Sequence, residues 1–290
     1  MVESAVAGLG TGAVYAIFAV GLVVVFKTTR VLNFAQAEVG TFATFLTWWA
    51  VAVARWPWAL GAGLGLVAAA ALGAGLERLV FGRLIDADRS TVVVATIAVS
   101  LGLGALELKF WGTSPKILRP PLSGRGLELG GVVLAPTRLL ALTVAIGLSA
   151  GLWVLLRRTT FGLSLLAVAQ NPVAVRLAGV RLRRLSTFTW AASAVLGAGA
   201  SLLVAPVLGA FSAFYLSRLL LFGFAAGVLG GGMTSLPGAV AGGIGLGVWE
   251  AVIAREFPST PGVVDLSVFL LVAAALLDRA RNPFLKGAAA

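Results

Sequence analysis

The stretch SAVAGLGTGAVYAIFAVGLVVVF occupies residues 4–26 and contains no charged side chain. Its length lies within the roughly 17 to 25 residues with which a helix crosses the hydrocarbon core of a bilayer. A single helix satisfies its own backbone polar groups in lipid, which an isolated strand cannot do. Glu3 precedes the stretch, whereas a secretory signal begins with basic residues. The stretch therefore predicts a first transmembrane helix.

Similar apolar runs continue along the chain. They occupy residues 31–54, 58–76, 92–111, 139–156, 187–209, 219–230, 239–254 and 263–277. The composition agrees, because 59% of the residues are hydrophobic and only 11% are charged, too few to give a soluble domain its polar surface. We therefore predict an all-α, polytopic integral membrane bundle of about eight or nine transmembrane segments. It is expected to form one membrane domain over residues 1–290.

The basic residues predict the orientation, since Lys and Arg are retained in cytoplasmic loops. The segment 157–185 contains six arginines and no acidic residue, so we predict that it is cytoplasmic. Counting crossings from this loop places the N-terminus outside and the basic C-terminus in the cytoplasm. The same count places the loop 112–138 outside. The expected location is the inner (plasma) membrane, with several passes.

Polar and small residues recur at helical spacing within three of the apolar runs. The candidates are Asn33, Gln36, Glu38 and Thr44 in the second run, Thr96 and Ser100 in the fourth, and Ser193 in the sixth. Small and hydroxyl residues also let transmembrane helices pack closely, so each stripe alone is compatible with packing. Three such stripes together favour a shared polar interior. We predict that these residues line a substrate pathway.

Glu38 is the sharpest candidate among them. An acidic side chain deep in a bilayer costs about 2.5 to 3.5 kcal/mol on insertion scales unless it is paired or hydrated. If the helix is continuous from Arg30, Glu38 lies about two turns from the interface. A structural pairing role and a pathway role both remain open for this residue.

Glycine is concentrated late in the chain. The segment 219–237 is short and contains three consecutive glycines, which predicts a broken or re-entrant helix. We include these glycines, Gly230, Gly231 and Gly232, among the pathway candidates, with plain helix packing as the alternative. The G-x-x-x-G spacing that permits close helix crossing also occurs at Gly8/Gly12 and Gly243/Gly247.

The predicted cytoplasmic loop contains the signals of a short helix. Asn171 can cap a helix that has Pro172 at its first position, and Gly179 can end it. The flanking arginines suit docking to a cytoplasmic partner or contact with anionic lipid. The residues predicted to couple this loop to a partner are Ala169, Gln170, Asn171, Pro172, Arg176 and Gly179.

Several function classes are excluded by what the sequence lacks. It contains no Cys and no His, which removes thiolate nucleophiles, Cys/His zinc sites and imidazole acid–base catalysis. We predict no catalytic residues, no metal ligands and no enzyme activity. The G-x-x-x-x-G-K-[ST] loop is also absent, so the chain is expected to bind no ATP and no other cofactor itself. The net charge is +11, and the basic residues lie mainly in the loops between apolar runs. This placement indicates that the chain contacts the bilayer, and we predict that it binds no nucleic acid.

Three stretches resemble a known family. They are VLNFAQAE at residues 31–38, FGLSLLAVAQNPVAVRLAG at residues 161–179 and AGVLGGGMTSLPGAVAGG at residues 226–243. In order and spacing they resemble the LivH-type permease of branched-chain amino acid ABC transporters. The first stretch has Gln36 and Ala37 where the family usually has His and Gly. Any role of that position here must therefore be hydrogen bonding and not proton transfer by an imidazole.

The resemblance implies the permease subunit of an ABC importer for branched-chain or related amino acids. It also implies a second permease subunit that is a paralogue, cytoplasmic ATPase subunits that bind ATP-Mg, and an extracytoplasmic substrate-binding protein. It places ATPase docking on residues 169–179. The alternative is a stand-alone, ion-coupled secondary transporter of a small solute, with Glu38, Glu107 and Asp265 as candidates for ion coupling.

Overall fold

The fold is a set of long helices, with one short hairpin. The computed structural model describes residues 2–84, 87–122, 127–129, 132–134, 136–170, 175, 177, 179 and 182–281. The helices are α1 (Val2–Thr29), α2 (Gln36–Trp48), α3 (Trp58–Leu79), α4 (Arg89–Trp111), α5 (Pro136–Arg158), α6 (Thr160–Gln170), α7 (Leu182–Leu208), α8 (Ser217–Leu229), α9 (Leu236–Glu256) and α10 (Val263–Arg281). Each predicted apolar run corresponds to one of them. The all-α, polytopic prediction is confirmed.

Several helices are long and apolar enough to cross a membrane. Among the described residues these are Gly8–Thr29, Trp58–Arg83, Arg89–Trp111, Leu182–Leu208 and Leu236–Glu256. Helix α8 has 13 residues and therefore spans only about 20 Å, against the roughly 30 Å of a hydrocarbon core. It ends at Leu229, and α9 begins at Leu236. The predicted helix break near residues 219–237 is confirmed.

The loop 112–138 contains a small hairpin. Strands β1 (Leu127–Leu129) and β2 (Val132–Leu134) pair antiparallel, with Glu128 opposite Val133. Before the hairpin, Lys116 exchanges two backbone hydrogen bonds with Phe211 at 2.8 and 2.9 Å. Backbone pairing thus orders the described parts of this loop.

Contacts between Cα atoms group the chain into two compact units. Unit 1 contains residues 1–23, 122–153 and 221–290, and unit 2 contains residues 24–121 and 154–220. Each unit is assembled from segments that are distant in the sequence. The single membrane domain that the sequence suggested stays a prediction.

In unit 1, α1 and α9 cross through their glycines. A Cβ atom on Gly247 would overlap the backbone of Gly12, and one on Gly8 would meet the carbonyl oxygen of Gly247. Farther along α1, Gly243 contacts the backbone of Ala16. Residues later in α1 contact residues earlier in α9, so the two helices are antiparallel. The predicted role of these G-x-x-x-G spacings in close helix crossing is confirmed.

In unit 2, α2, α3 and α7 pack against one another over much of their length. Small side chains fill the contact, including Ala43, Ala69, Ala194 and Ala198. A Cβ atom on Gly73 of α3 would press against the backbone of α7, so these two axes approach closely. Helix α4 adds Leu103 to the same cluster.

The second apolar run is not one helix, which corrects the prediction for residues 31–54. Helix α1 ends at Thr29, Arg30 has a φ of +56°, and α2 begins only at Gln36. The intervening residues are non-helical, and α2 closes with a π-helical turn from Trp49 to Val53. Asn33 therefore lies before the helix and not on its polar face. Lys27 and Arg30 mark the end of the first apolar run, but the sequence contains neither Gly nor Pro that would delay the start of α2 to Gln36.

Candidate functional site

The predicted polar stripes of α2 and α7 face each other inside unit 2. The Ser193 hydroxyl donates to the Gln36 side-chain oxygen at 2.6 Å. The hydroxyl groups of Thr44 and Ser201 are hydrogen-bonded, and all four of these side chains are 0% exposed. We call this contact the polar seam and define it by the residues Gln36, Gly40, Thr44, Ser193, Gly197 and Ser201.

The seam has a regular register. Gln36 pairs with Ser193 and Thr44 with Ser201, and both pairs are separated by 157 positions in the sequence. Between them, a Cβ atom on Gly40 would meet the carbonyl oxygen of Gly197. Each pair lies one helical turn beyond the previous one on both helices. Helices α2 and α7 are therefore parallel, with their N-termini at the same end.

Tyr215 closes one end of the seam from the turn between α7 and α8. Its hydroxyl oxygen lies 2.5 Å from Oγ of Ser201 and 3.3 Å from Oγ1 of Thr44. Sequence analysis missed this residue, because a tyrosine in a loop belongs to no helical stripe. The three hydroxyl groups hydrogen-bond one another, so each has a hydrogen-bond partner without water.

Glu38 and Glu107 form a second polar contact in unit 2. Their side chains are 1% and 0% exposed, and the two carboxyl groups lie next to each other. Both carboxylate oxygens of Glu107 lack a hydrogen bond of good geometry to any described residue. Two adjacent carboxylates repel when both are charged, so this arrangement suits a cation, an ammonium group or a shared proton.

Gln36 lies level with Ser193, which is 11 residues after Leu182, the first residue of α7, or about 16 Å along that helix. The residues just before α2 are non-helical, so they advance farther per residue than the continuous helix from Arg30 on which the expected two-turn depth rested. The position of Glu38 relative to the membrane interface stays a prediction.

Thr96 of α4 forms hydrogen bonds with the non-helical segment that precedes α2. Its Oγ1 accepts a hydrogen bond from the backbone N–H of Phe34 at 3.4 Å and lies 3.3 Å from the carbonyl oxygen of Leu32. Non-helical backbone at membrane depth needs such substitutes for helical hydrogen bonds. Asn33, which is 3% exposed, has an Oδ1 without a partner in the described part of the chain. Ser100 is half-buried on the same helix as Thr96.

The three predicted pathway glycines belong to unit 1, where they form the turn after α8. A Cβ atom on Gly230 would overlap the carbonyl oxygen of Gly238, and Gly232 has a φ of +60°. Ser235 caps α9 by accepting from the N–H of Gly238 at 3.1 Å. These contacts give the glycines a packing reason, which is the alternative that the sequence left open. Their part in a substrate pathway stays a prediction.

The predicted coupling residues fall at the edge of the described chain. Ala169 and Gln170 are the last two residues of helix α6. Gly179 has a φ of +81°, the left-handed conformation that a helix-ending glycine adopts. Asn171, Pro172 and Arg176 lie outside the described residues.

Sequence analysis also missed a buried carboxylate near the end of α3. Glu77 is 1% exposed and accepts a 2.5 Å hydrogen bond from the Thr187 hydroxyl. Because Glu77 is followed by Arg78, the sequence suggested an ordinary loop residue. The signal that could have identified it is Thr187, which lies six residues before Ser193 on the same polar helix.

Buried polar groups inside long apolar helices define the class of this protein. Within the described residues no group of three or more Asp, Glu, His or Cys side chains is placed to hold a metal ion. A polytopic helical bundle whose interior carries amide, hydroxyl and carboxyl groups is typical of membrane transport proteins.

The comparisons specify that class. Residues 4–277 match the family described as branched-chain amino acid transport system / permease component, and the chain belongs to it. The high-affinity branched-chain amino acid transport system permease protein BraD of Pseudomonas aeruginosa is 26% identical over 283 residues, which cover 93% of this chain and 92% of BraD. The corresponding LivH protein of Escherichia coli is 25% identical over 285 residues, 91% of this chain and 90% of LivH.

No solved structure matches the chain significantly. The family assignment confirms the resemblance on which the sequence analysis relied, and it identifies a multi-pass membrane component of a transport system. It supports the permease interpretation over the ion-coupled secondary transporter.

Proposed function

We propose that this chain is a transmembrane subunit of an ABC importer for branched-chain amino acids. The observation that carries the proposal is the family match over residues 4–277, nearly the whole chain. The named relatives transport branched-chain amino acids, and they match over more than nine-tenths of this chain. The substrate class comes from those relatives, whereas the residues that contact the substrate come from the geometry of unit 2.

The energy source lies in partner subunits. The sequence contains no G-x-x-x-x-G-K-[ST] loop with which to bind nucleotide. Cytoplasmic ATPase subunits would bind ATP-Mg, a second permease subunit would complete the membrane part, and an extracytoplasmic binding protein would deliver the amino acid. The segment 169–179 would dock against the ATPase subunits.

The orientation has the N-terminus outside and the C-terminus in the cytoplasm. Basic residues support it, because they occupy the ends of α1, α3 and α5 and the starts of α4 and α7. In unit 2 some of these ends meet, since the charges of Arg30 and Arg157 act on Lys27. The end of the bundle with these residues would face the cytoplasm.

The substrate pathway runs along the polar seam and past Glu38. Support comes from the chemistry of the lining, since hydroxyl, amide and carboxyl groups can replace the hydration of a zwitterionic amino acid. In the present conformation the seam is closed, with Gln36, Thr44 and Ser193 fully buried. Separation of α2 from α7 would open it, and ATP-driven movement of the coupling segment would drive that separation.

The direct test is reconstitution of this chain with its ATPase, permease and binding-protein partners in proteoliposomes. We expect uptake of L-leucine, L-isoleucine or L-valine that requires Mg-ATP and the binding protein. Uptake that follows a proton or sodium gradient and ignores ATP would contradict the proposal.

A cross-link tests the opening of the seam. The chain has no native cysteine, so Thr44→Cys and Ser201→Cys introduce the only two thiols, at positions whose hydroxyl groups are in contact. Oxidation of the double variant is expected to stop uptake, and a reductant is expected to restore it. The two single variants, treated identically, control for oxidation itself. Full uptake by the cross-linked protein would contradict an opening between α2 and α7.

The coupling segment has its own test. Replacing Pro172 and Arg176 by Ala should weaken both ATPase association and ATP-driven uptake. Replacing Arg281, which is exposed at the end of α10, by Ala provides a matched control. If the Pro172 and Arg176 variants retain both properties, the ATPase docks elsewhere.

A further inference from the structure

A cavity of about 340 Å³ lies in unit 2, where the ends of α1, α3, α4, α6 and α7 converge. Its volume is in the lower part of the range typical of small-molecule sites, roughly 300–1,000 Å³. None of the residues that define the polar seam lines it, so the cavity is a separate site. In the proposed orientation it lies at the cytoplasmic end of the unit.

The cavity has an acidic side. Glu77 lines it, is 1% exposed and receives a hydrogen bond from Thr187. Among the described residues no Lys or Arg forms an ion pair with this carboxylate. A buried carboxylate without an ion-pair partner is costly, and a ligand ammonium group would offset that cost.

The cavity also has a basic side. Arg89, the first residue of α4, lines it with an exposed side chain. The preceding residue, Asp88, makes no side-chain capping hydrogen bond to α4. The guanidinium group and the uncapped backbone N–H groups of the first turn together suit a ligand carboxylate.

Much of the cavity wall is apolar. The rings of Phe81 and Trp190 stack with their centroids 4.1 Å apart and an interplanar angle of 16°. Val31, Val92 and Leu165 also line the wall, and the hydroxyl residues Thr28, Thr29 and Ser186 add polar groups to it. Aliphatic and aromatic surface beside one acidic and one basic group suits a zwitterion with a hydrophobic side chain.

We propose that this cavity binds a free α-amino acid with a branched aliphatic side chain, taken from the cytoplasm. The ammonium group would face Glu77, the carboxylate would face Arg89, and the side chain would lie on the wall of Phe81 and Trp190. The choice of a branched-chain amino acid and the cytoplasmic location rest on the proposed function. The zwitterionic chemistry rests on the cavity itself.

Occupancy of the cavity has a consequence for transport. Leu165 and Val168 of α6 line it together with residues of α7, and α6 runs directly into the segment proposed to contact the ATPase subunits. A bound amino acid would bridge α6 and α7 and hold the coupling segment in one position. High cytoplasmic amino acid would then slow further import.

Binding to the purified full-length chain tests the site directly. Equilibrium dialysis with radiolabelled L-leucine should show binding that is weakened about tenfold or more by Glu77→Gln and by Arg89→Gln, since each removes one charge-assisted hydrogen bond. N-acetyl-L-leucine, which lacks the ammonium group, and L-leucinamide, which lacks the carboxylate, should compete poorly. Glu256→Gln and Arg281→Gln, both at exposed positions, are matched controls.

Inhibition is measured in proteoliposomes that contain the complete importer. Within each variant, ATP-driven uptake is compared between vesicles loaded with L-leucine and empty vesicles. We expect loading to slow the wild type about fivefold or more, and to slow Glu77→Gln and Arg89→Gln much less. The ratio within one variant removes differences in basal uptake.

The outcomes separate the two proposals. Suppose that the importer takes up leucine but that neither Glu77→Gln nor Arg89→Gln weakens leucine binding. This result would overturn the cavity site and leave the importer proposal standing. Leucine binding that depends on both residues, without ATP-driven uptake, would support the site and contradict the importer. If a phospholipid copurifies with the wild type, is lost from both variants and excludes leucine, the cavity is a lipid site. Because Arg89 is exposed, its variant keeps the test decisive even if Glu77→Gln does not fold.

Discussion

The α1–α9 crossing in unit 1 and the α2–α7 crossing in unit 2 use small residues in two different ways. In unit 1, antiparallel helices meet through Gly8, Gly12 and Gly247, and the contact itself consists of backbone and carbon atoms. In unit 2, parallel helices meet at Gly40 and Gly197, and hydroxyl and amide groups flank that glycine contact on both sides.

The difference shows that close packing of two helices and polar contacts between them are separate features of a membrane protein. Lipid tails are as apolar as leucine, so close packing alone is enough to hold two helices together, and glycine supplies it. Buried hydroxyl and amide pairs add little stability there, about 0.6 kcal/mol each on average. The α1–α9 crossing also carries a hydrogen bond, from the Tyr15 hydroxyl to a carboxylate oxygen of Glu250, but only at the α2–α7 crossing do two such pairs flank the glycine contact. This concentration of polar groups at the glycine contact points to function at the α2–α7 crossing.

The largest effect is expected from overfilling the unit 1 crossing. In Gly247→Leu the new side chain would overlap the backbone of α1, which cannot move aside as a flexible side chain can. We expect loss of monodisperse protein after detergent extraction, measured by size-exclusion chromatography. Gly245→Leu is the matched control, because a Cβ atom at Gly245 on the same helix meets nothing within 4 Å. Equal behaviour of the two variants would refute the close crossing.

A smaller effect on stability and a larger one on uptake are expected from Gln36→Met in unit 2. The substitution keeps the volume and removes the amide that accepts from Ser193. We expect stability to fall by about 1 kcal/mol and uptake to fall about tenfold. Ser193→Ala breaks the same hydrogen bond and leaves the amide in place. If both variants lose the same uptake, Gln36 acts only through that bond and does not contact substrate.

The smallest effect is expected at the other end of the polar seam. Thr44→Val and Ser201→Ala each remove one hydroxyl group from the network with Tyr215. A double-mutant cycle on thermal unfolding in detergent should give a coupling energy of about 0.6 kcal/mol. Thr91→Val, at an exposed position of α4, should change nothing. A coupling of several kcal/mol would make the seam a structural element comparable to the glycine crossing.

Periodicity and length predicted most of the fold. The helices follow from runs such as residues 4–26 and 92–111, because lipid leaves the backbone few alternatives to a helix. The seam was also partly visible, since Gln36, Thr44 and Ser193 were selected by helical spacing. Sequence spacing cannot say which stripes face each other, and the pairing of α2 with α7 emerged only from the structure.

The remaining features depend on tertiary contacts. The break before Gln36 has no Gly or Pro, and it is stabilised by Thr96 from another helix. Glu77 and Tyr215 lie at a helix end and in a turn, where polar residues are expected on solvent-exposed surface. Packing with α7 buries Glu77 fully and Tyr215 partly, which no local pattern in the sequence indicates.

Because α2 and α7 are parallel, they begin on the same side of the membrane. Helix α2 ends on the opposite side, so the chain must cross the membrane an odd number of times between the end of α2 and the start of α7. Helices α3, α4 and α5 have 22, 23 and 23 residues, and each is long enough for one crossing. Helix α6 has 11 residues and spans about 16 Å, too short for a fourth crossing. Three crossings therefore place Arg157 and Arg158, at the end of α5, on the same side as Lys27 and Arg30, by counting alone and without reference to charge.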